Sequence, residues 1–273
     1  MADRRLRRGT FSFAIGAALL AIFAAAAVFP GVFTPWGRKE LFGLWEAPSA
    51  LHPLGTNYLG YDVLTELVYG ARDTVVIGLL SSVISLALGA VVGVISAGEG
   101  RAASLFSWIT QLFIMLPRLV SLIVLSAFWG SERPRLALLI ALFSWTGTAR
   151  AVRAQVRHLK AQPFAEALEL LGYSRVRIAF RHMLPNLSGV LLSRFLLSVN
   201  SCIMMESTLS FLGMGDIYHP TWGTMMNLAY RRGAFIRRAY LCLMAPGACV
   251  MLLSLAFYLM SVRAGARKEI ISQ

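Results

Sequence analysis

Three charged side chains lie inside otherwise apolar stretches, where an ionisable group rarely occurs without a function. Arg118 directly follows Pro117, and Arg194 and Glu206 share a later apolar stretch. Charges at membrane depth are costly and commonly line the path of an ion or solute. We therefore predict Arg118 and Glu206 as candidate pathway residues. The alternative is that a long arginine side chain extends its guanidinium to the membrane interface, which we favour for Arg194.

The residue types that usually bind metals or perform catalysis are scattered along the chain. The histidines show no metal-ligand spacing, and the cysteines lie in apolar stretches without a CxxC pair: His52, His158, His182, His219, Cys202, Cys242 and Cys249. No nucleophile with an adjacent base is recognisable. We expect a non-catalytic chain that binds neither a metal nor a cofactor, although His52 and His219 could contact a metal that is itself the solute.

A nucleotide-binding loop is also missing from the sequence. The P-loop pattern G-x-x-x-x-G-K-[ST] places a glycine directly before its lysine. None of Lys39, Lys160 and Lys268 follows a glycine. Any role driven by ATP therefore requires a separate ATPase subunit.

The composition indicates a membrane protein. Of the 273 residues, 57% are hydrophobic and only 14% charged, whereas soluble domains carry about 25% charged residues. The net charge of +13 comes from basic residues in short segments between apolar stretches. That distribution is typical of membrane topology and argues against a nucleic-acid-binding protein.

Six apolar stretches are long enough to be candidate membrane spans. They lie at about residues 11–33, 74–97, 102–129, 136–151, 187–212 and 239–262. The first follows a basic tail at residues 1–10 and could be a signal peptide, but its length favours a retained span. The fold class predicted is an all-α polytopic membrane protein with six transmembrane helices.

The distribution of Lys and Arg places both termini in the cytoplasm. Residues 34–73 then form an external segment, and residues 74–262 form a five-helix core that contains a cytoplasmic loop at 152–186. Residues 263–273 form a cytoplasmic tail. The four arginines within residues 231–238 are an exception, because this topology places them outside.

Small residues recur at every fourth position of the second span, where they form one helix face. This face predicts close helix packing, because small side chains let helix backbones approach in a membrane. It consists of Ser81, Ser85, Gly89 and Gly93.

The cytoplasmic loop contains a short amphipathic pattern between Pro163 and Gly172, which suit the start and the end of a helix. Glu166 and Glu169 lie away from the apolar side, so an anionic membrane is a poor partner and a groove on another protein is a better one. The apolar side is formed by Phe164, Ala167, Leu168 and Leu171.

This loop resembles the EAA loop of bacterial ABC importer permeases. The positions that match are Glu166, Ala167, Gly172, Leu184 and Pro185, with Leu168 in place of the second alanine. Four further segments resemble the peptide and nickel class of these permeases, specifically its C-type subunit. They lie at residues 52–64, 181–186, 206–215 and 220–226. Asn57 and Tyr61 depart from the Asp and Arg usual in that class.

The resemblance implies a type I ABC importer permease fold in the bacterial inner membrane. It implies that the loop is a coupling helix that docks on an ATPase. The expected partners are a second permease subunit, two ATPase subunits, an extracytoplasmic substrate-binding protein and membrane lipid, with no nucleic acid. The expected solute is a dipeptide or oligopeptide, and the alternative is nickel or a metal chelate. The apolar stretches would also fit a secondary transporter, or a membrane scaffold that works without an ATPase.

Overall fold

A computed structural model describes the backbone of residues 2–271 and the side chains of residues 12–262. Within this part of the chain all regular elements are helical, and β-pairing is limited to one bridge between Thr56 and Asp62. This confirms the all-α class. The helices are α1 (Ala2–Val28), α2 (Pro30–Phe33), α3 (Val63–Ser96), α4 (Arg101–Met115), α5 (Arg118–Trp129), α6 (Arg133–Lys160), α7 (Pro163–Leu170), α8 (Arg175–Arg177), α9 (Leu184–Asn186), α10 (Ser188–Leu209), α11 (Trp222–Arg231) and α12 (Leu241–Ile271).

Three described helices are individually long and apolar enough to cross a membrane. They are α3 (Val63–Ser96), α10 together with the π-helical segment Ser210–Met214 that continues it (Ser188–Met214 in all), and the part of α12 at Leu241–Val262. Their mean hydropathies are 2.5, 1.4 and 2.0 over their most apolar windows. The apolar part of α1, Ser12–Val28, is shorter. At most about a third of these windows is buried within the chain. The remaining apolar surface therefore faces lipid or another subunit.

The third predicted span is divided into two helices, so it is not one continuous helix; as a pair the two helices are together long and apolar enough to form one broken span. Helices α4 and α5 meet at a bend of 91° between Met115 and Arg118. Pro117 explains the break, because its ring disfavours a helical conformation for the preceding residue and it has no N–H to donate. Leu116 accordingly adopts an extended conformation, with φ −71° and ψ 131°.

The fourth predicted span is part of a longer helix than the hydropathy indicated. Helix α6 covers 28 residues, whereas the apolar stretch covers residues 136–151. The polar continuation ends just before Pro163, whose ring again keeps Gln162 extended. The end of α6 therefore leads directly into α7.

Helices α3 and α6 form the most extensive helix pair in the structure. A Cβ atom on Gly89 would lie 2.6 Å from Thr148 Cβ, and one on Gly93 would lie 2.7 Å from the Ala149 carbonyl oxygen. Ser85 lies on the α10 side, 3.4 Å from the Ser198 hydroxyl. Ser81 is buried and donates back to the Ile77 carbonyl. The small-residue face of α3 thus lies against α6 and α10.

Residues 34–62 form a turn-rich cap over the N-terminus of α3. Asp62 is the N-cap of this helix and accepts from the Thr65 N–H at 2.7 Å. Its other oxygen lies 3.0 Å from His52 Nδ1, and Thr34 and Thr65 share a hydroxyl contact of 2.6 Å. These buried polar contacts fix the cap to the helix, where unpaired polar groups would be costly.

Candidate functional site

Helix α7 has defined ends that follow from its sequence. Pro163 is at the first helical turn, where its missing N–H costs no hydrogen bond. Gly172 adopts a positive φ of 80°. Its N–H donates to the Glu169 carbonyl and the Tyr173 N–H donates to that of Leu168, which is the Schellman arrangement. The chain therefore stops the helix sharply and turns toward α8.

The two sides of α7 have different environments. Ala165 is buried, and Phe164 and Leu168 pack beside it against the bundle. Leu170 is 89% exposed and Leu171 is 72% exposed. The predicted apolar side is thus divided, with two of its members packed inward and the other two, Ala167 and Leu171, exposed.

The exposed side of α7 forms an apolar surface with a charged edge. Glu166 is exposed beside it, and Val176 of α8 adds a side chain that is 69% exposed. The sequence pattern missed Ala165 and Leu170, because a helical period does not reveal which side the neighbouring helices cover. We call Glu166, Ala167, Leu170, Leu171 and Val176 the α7 surface.

The buried side of α7 is part of one apolar cluster that includes both long helices of the main pair. The cluster joins Ala165 to Val94 of α3 and Val152 of α6. Met183 and Leu187 continue it to the start of α10. Leu184 lies partly buried on the same cluster, and Pro185 is exposed beside it. Because packed interiors deform little, a displacement of α7 would be passed to α3, α6 and α10.

Ion pairs add a second connection at the α7 end of the bundle. Arg175 Nη1 lies 2.6 Å from Glu99 Oε2, and its Nε lies 3.4 Å from Glu169 Oε1. Lys160 Nζ donates to the carbonyl of Ala97 at 3.2 Å. These contacts link α7 and α6 to the turn after α3. The two Arg175 contacts are exposed ion pairs, so their energetic contribution is small and their role is mainly positional.

Arg118 lies at the break between α4 and α5. Its guanidinium Nη2 donates to the Thr146 hydroxyl of α6 at 3.2 Å, and the residue is half-buried. A role of Arg118 in the pathway stays a prediction.

Glu206 is fully buried near the end of the bundle opposite α7. Its Oε1 accepts from the Ser210 hydroxyl at 2.7 Å and its Oε2 from the Ser207 hydroxyl at 3.3 Å. Both oxygens are therefore occupied in this conformation. Among the described residues, Arg118 and Glu206 do not pair with each other, and the role of Glu206 in the pathway also stays a prediction.

A network at the opposite end of the bundle joins three distant parts of the chain. Asp73 of α3 is buried and lies 2.8 Å from Arg133 Nη1 of α6 and 3.4 Å from Arg38 Nη2 of the cap. In the sequence these three residues are recognisable only as charges outside the membrane. No local spacing could have identified the network, because its members are far apart in the sequence.

The comparisons with known proteins identify the family of the chain. Residues 85–269 match the family model described as binding-protein-dependent transport system inner membrane component. The chain is 33% identical over 229 residues to the dipeptide transport system permease protein of Bacillus subtilis, covering 82% of this chain and 71% of that protein. It is 33% identical over 218 residues to the oligopeptide transport system permease protein of Mycobacterium tuberculosis, covering 78% of this chain and 74% of that protein. The chain therefore belongs to the family of inner-membrane permease components of binding-protein-dependent transport systems.

Proposed function

We propose that this chain forms half of the translocation pathway of an ATP-driven importer for dipeptides or oligopeptides. The peptide specificity is supported by the relatives, which are named for dipeptide and oligopeptide transport. Nickel, the alternative, has no comparable support among these names. A second permease subunit, two ATPase subunits and an external binding protein would complete the transporter, and both termini would lie in the cytoplasm.

The α7 surface is the observation that carries the coupling role. An exposed apolar surface on the short helix that follows α6 is costly in water unless a partner covers it. Leu170 and Leu171 would insert into a groove on the ATPase, which is the usual way an amphipathic helix binds a partner. Closure of the ATPases on ATP would then move α7, and the cluster beneath it would pass that movement to α3, α6 and α10.

Replacing the exposed leucines tests this coupling directly. We expect Leu170→Asp and Leu171→Asp to reduce co-purification of the ATPase and ATP-dependent peptide uptake at least about tenfold, because a charge would enter an apolar contact. Both side chains are already exposed, so folding of the permease should be preserved. Retention of the chain in the membrane and its melting temperature in detergent check this.

Leu51→Asp is the matched control, because Leu51 is 67% exposed in the cap at the opposite end of the bundle. This variant should bind the ATPase like the unmodified chain. Normal ATPase binding and uptake in both Leu170→Asp and Leu171→Asp would contradict the coupling role of α7.

A further inference from the structure

A pocket opens at the end of the bundle opposite α7, between the cap, the N-terminus of α3 and helix α11. Its volume is about 250 Å³, close to the lower limit for small-molecule sites. Helix α3 separates it from α7, and 34 residues correspond to a length of about 51 Å. In the proposed topology this pocket faces the side from which a solute arrives.

A carboxyl group is held in a fixed position in the pocket wall. Glu66 Oε2 accepts from Asn57 Nδ2 at 2.6 Å. The Asn57 side chain is itself oriented, because its Oδ1 accepts from the N–H groups of Leu59 and Tyr61 at 2.7 and 3.0 Å. Glu66 Oε1 forms no hydrogen bond with any described residue. The second oxygen is therefore available to a ligand.

Two cationic side chains line the same pocket. Lys39 is exposed and forms no ion pair within the described residues. Arg38 also lines the pocket, and its contact with Asp73 is long, at 3.4 Å. The pocket thus presents a carboxyl group and two cationic groups to one small volume.

The remaining wall is mainly aromatic and apolar. It includes Tyr58, Met225 and Leu228, which suits uncharged side chains of varied shape. Burial raises the pKa of Tyr58 above its ordinary value, and the neighbouring Glu66 acts in the same direction while Arg232 opposes it. The phenol therefore stays neutral and adds no charge at physiological pH.

We propose that this pocket binds a short zwitterionic peptide by its two ends. The peptide ammonium group would pair with Glu66 Oε1, and the peptide carboxylate would pair with Lys39 and Arg38. Charge-assisted contacts of this kind select for free termini, whereas the apolar wall tolerates different side chains. The proposal rests on the proposed function, because it makes the pocket an entry site for the imported solute.

Titration of the whole complex with L-alanyl-L-alanine tests the pocket. The complex that co-purifies with this chain would be placed in nanodiscs of phosphatidylcholine and phosphatidylglycerol, which carry no primary ammonium group, without the binding protein. Binding would be followed by calorimetry. We expect saturable binding that weakens about tenfold or more when the peptide is N-acetylated, because the ammonium group is lost.

Two variants locate the binding site. Glu66→Gln keeps the size of the side chain and can still accept from Asn57, and it should weaken binding of the free dipeptide by a similar factor. It should not weaken binding of the N-acetylated peptide further, as a double-mutant cycle requires. Lys39→Met, at an exposed position, should weaken binding of the dipeptide but not of its C-terminal amide.

Glu132→Gln is the matched control, because Glu132 is an exposed carboxylate at the same end of the bundle and does not line the pocket. It should bind like the unmodified complex. Equal affinity in Glu66→Gln, equal affinity for the N-acetylated peptide, or no saturable binding would overturn the pocket assignment. If ATP-dependent peptide uptake persists in that case, the proposed function stands and only the pocket fails. Loss of the proposed function would instead appear as no peptide uptake by the unmodified transporter.

Discussion

At the scale of single residues, the proline and the glycine of the cytoplasmic loop have the local backbone geometry that the sequence predicted for the two ends of a helix. Pro163 begins α7 and Gly172 ends it with a positive φ. The sequence pattern predicted these ends because proline and glycine act through local geometry. Which side chains remain exposed could not be predicted in the same way, because it depends on α3 and α6.

Gly172→Ala should weaken coupling without disturbing the membrane core. The φ of 80° costs an alanine about 1–2 kcal/mol, and no neighbouring atom lies within 4 Å of the new Cβ. ATP-dependent uptake should fall while the amount of membrane-inserted chain stays constant. Gly189→Ala, also free of neighbours within 4 Å but with no positive φ, should leave uptake unchanged. Equal uptake in both variants would show that the turn after α7 is unimportant.

Arg118→Ala tests the pathway prediction at the bent third span. The change removes the hydrogen bond to Thr146 and a positive charge at membrane depth. If Arg118 lines the pathway, the maximal uptake rate or the apparent affinity for peptide should change several-fold while assembly of the complex is preserved. Uptake kinetics identical to those of the unmodified transporter would assign Arg118 to the interface instead.

At the scale of elements, the helices could be predicted from apolar stretches, but their ends and bends could not. The apolar stretch at residues 102–129 is continuous in the sequence and does not reveal the 91° bend at Pro117, because hydropathy does not record backbone geometry. Hydropathy also missed the polar second half of α6, because residues of high helical propensity continue the helix beyond the apolar stretch. The spacing of Gly89 and Gly93 indicated a packing face, and the structure identifies α6 as its neighbour.

Gly93→Ala should destabilise the pair of α3 and α6. Its Cβ would lie 2.7 Å from the Ala149 carbonyl oxygen, so the two backbones would have to separate at a cost of about 1–3 kcal/mol. The melting temperature of the purified complex should therefore fall. Gly147→Ala is the control, because no atom lies within 4 Å of its Cβ and alanine favours a helix. A melting temperature for Gly93→Ala at or above that of Gly147→Ala would contradict close packing at this position.

At the scale of the whole molecule, long-range polar contacts connect the cap to the membrane helices. A single residue of α3, Asp73, pairs with both Arg38 of the cap and Arg133 of α6. Such contacts were inaccessible to sequence reasoning, because three charges separated by tens of residues show no pattern. The family and the fold class, by contrast, were predicted correctly from short motifs in the right order.

Asp73→Asn should loosen the cap and lower the stability of the whole complex. The change leaves two half-exposed arginines without a carboxylate, which we expect to cost about 1–3 kcal/mol, less than for a fully buried pair. Thermal unfolding in detergent measures this loss. Glu132→Gln removes only the exposed pair with Arg135, at 3.6 Å, and should have almost no effect. Equal stability of the two variants would contradict a structural role of the Asp73 network.

The most direct test of the transporter as a whole is uptake in proteoliposomes. The complex that co-purifies with this chain would be reconstituted with ATP inside and the binding protein and a labelled dipeptide outside. Accumulation of the dipeptide that requires both ATP and the binding protein is the predicted result. Dipeptide movement through the isolated chain without ATP or an ATPase would contradict the proposed ATP-driven mechanism.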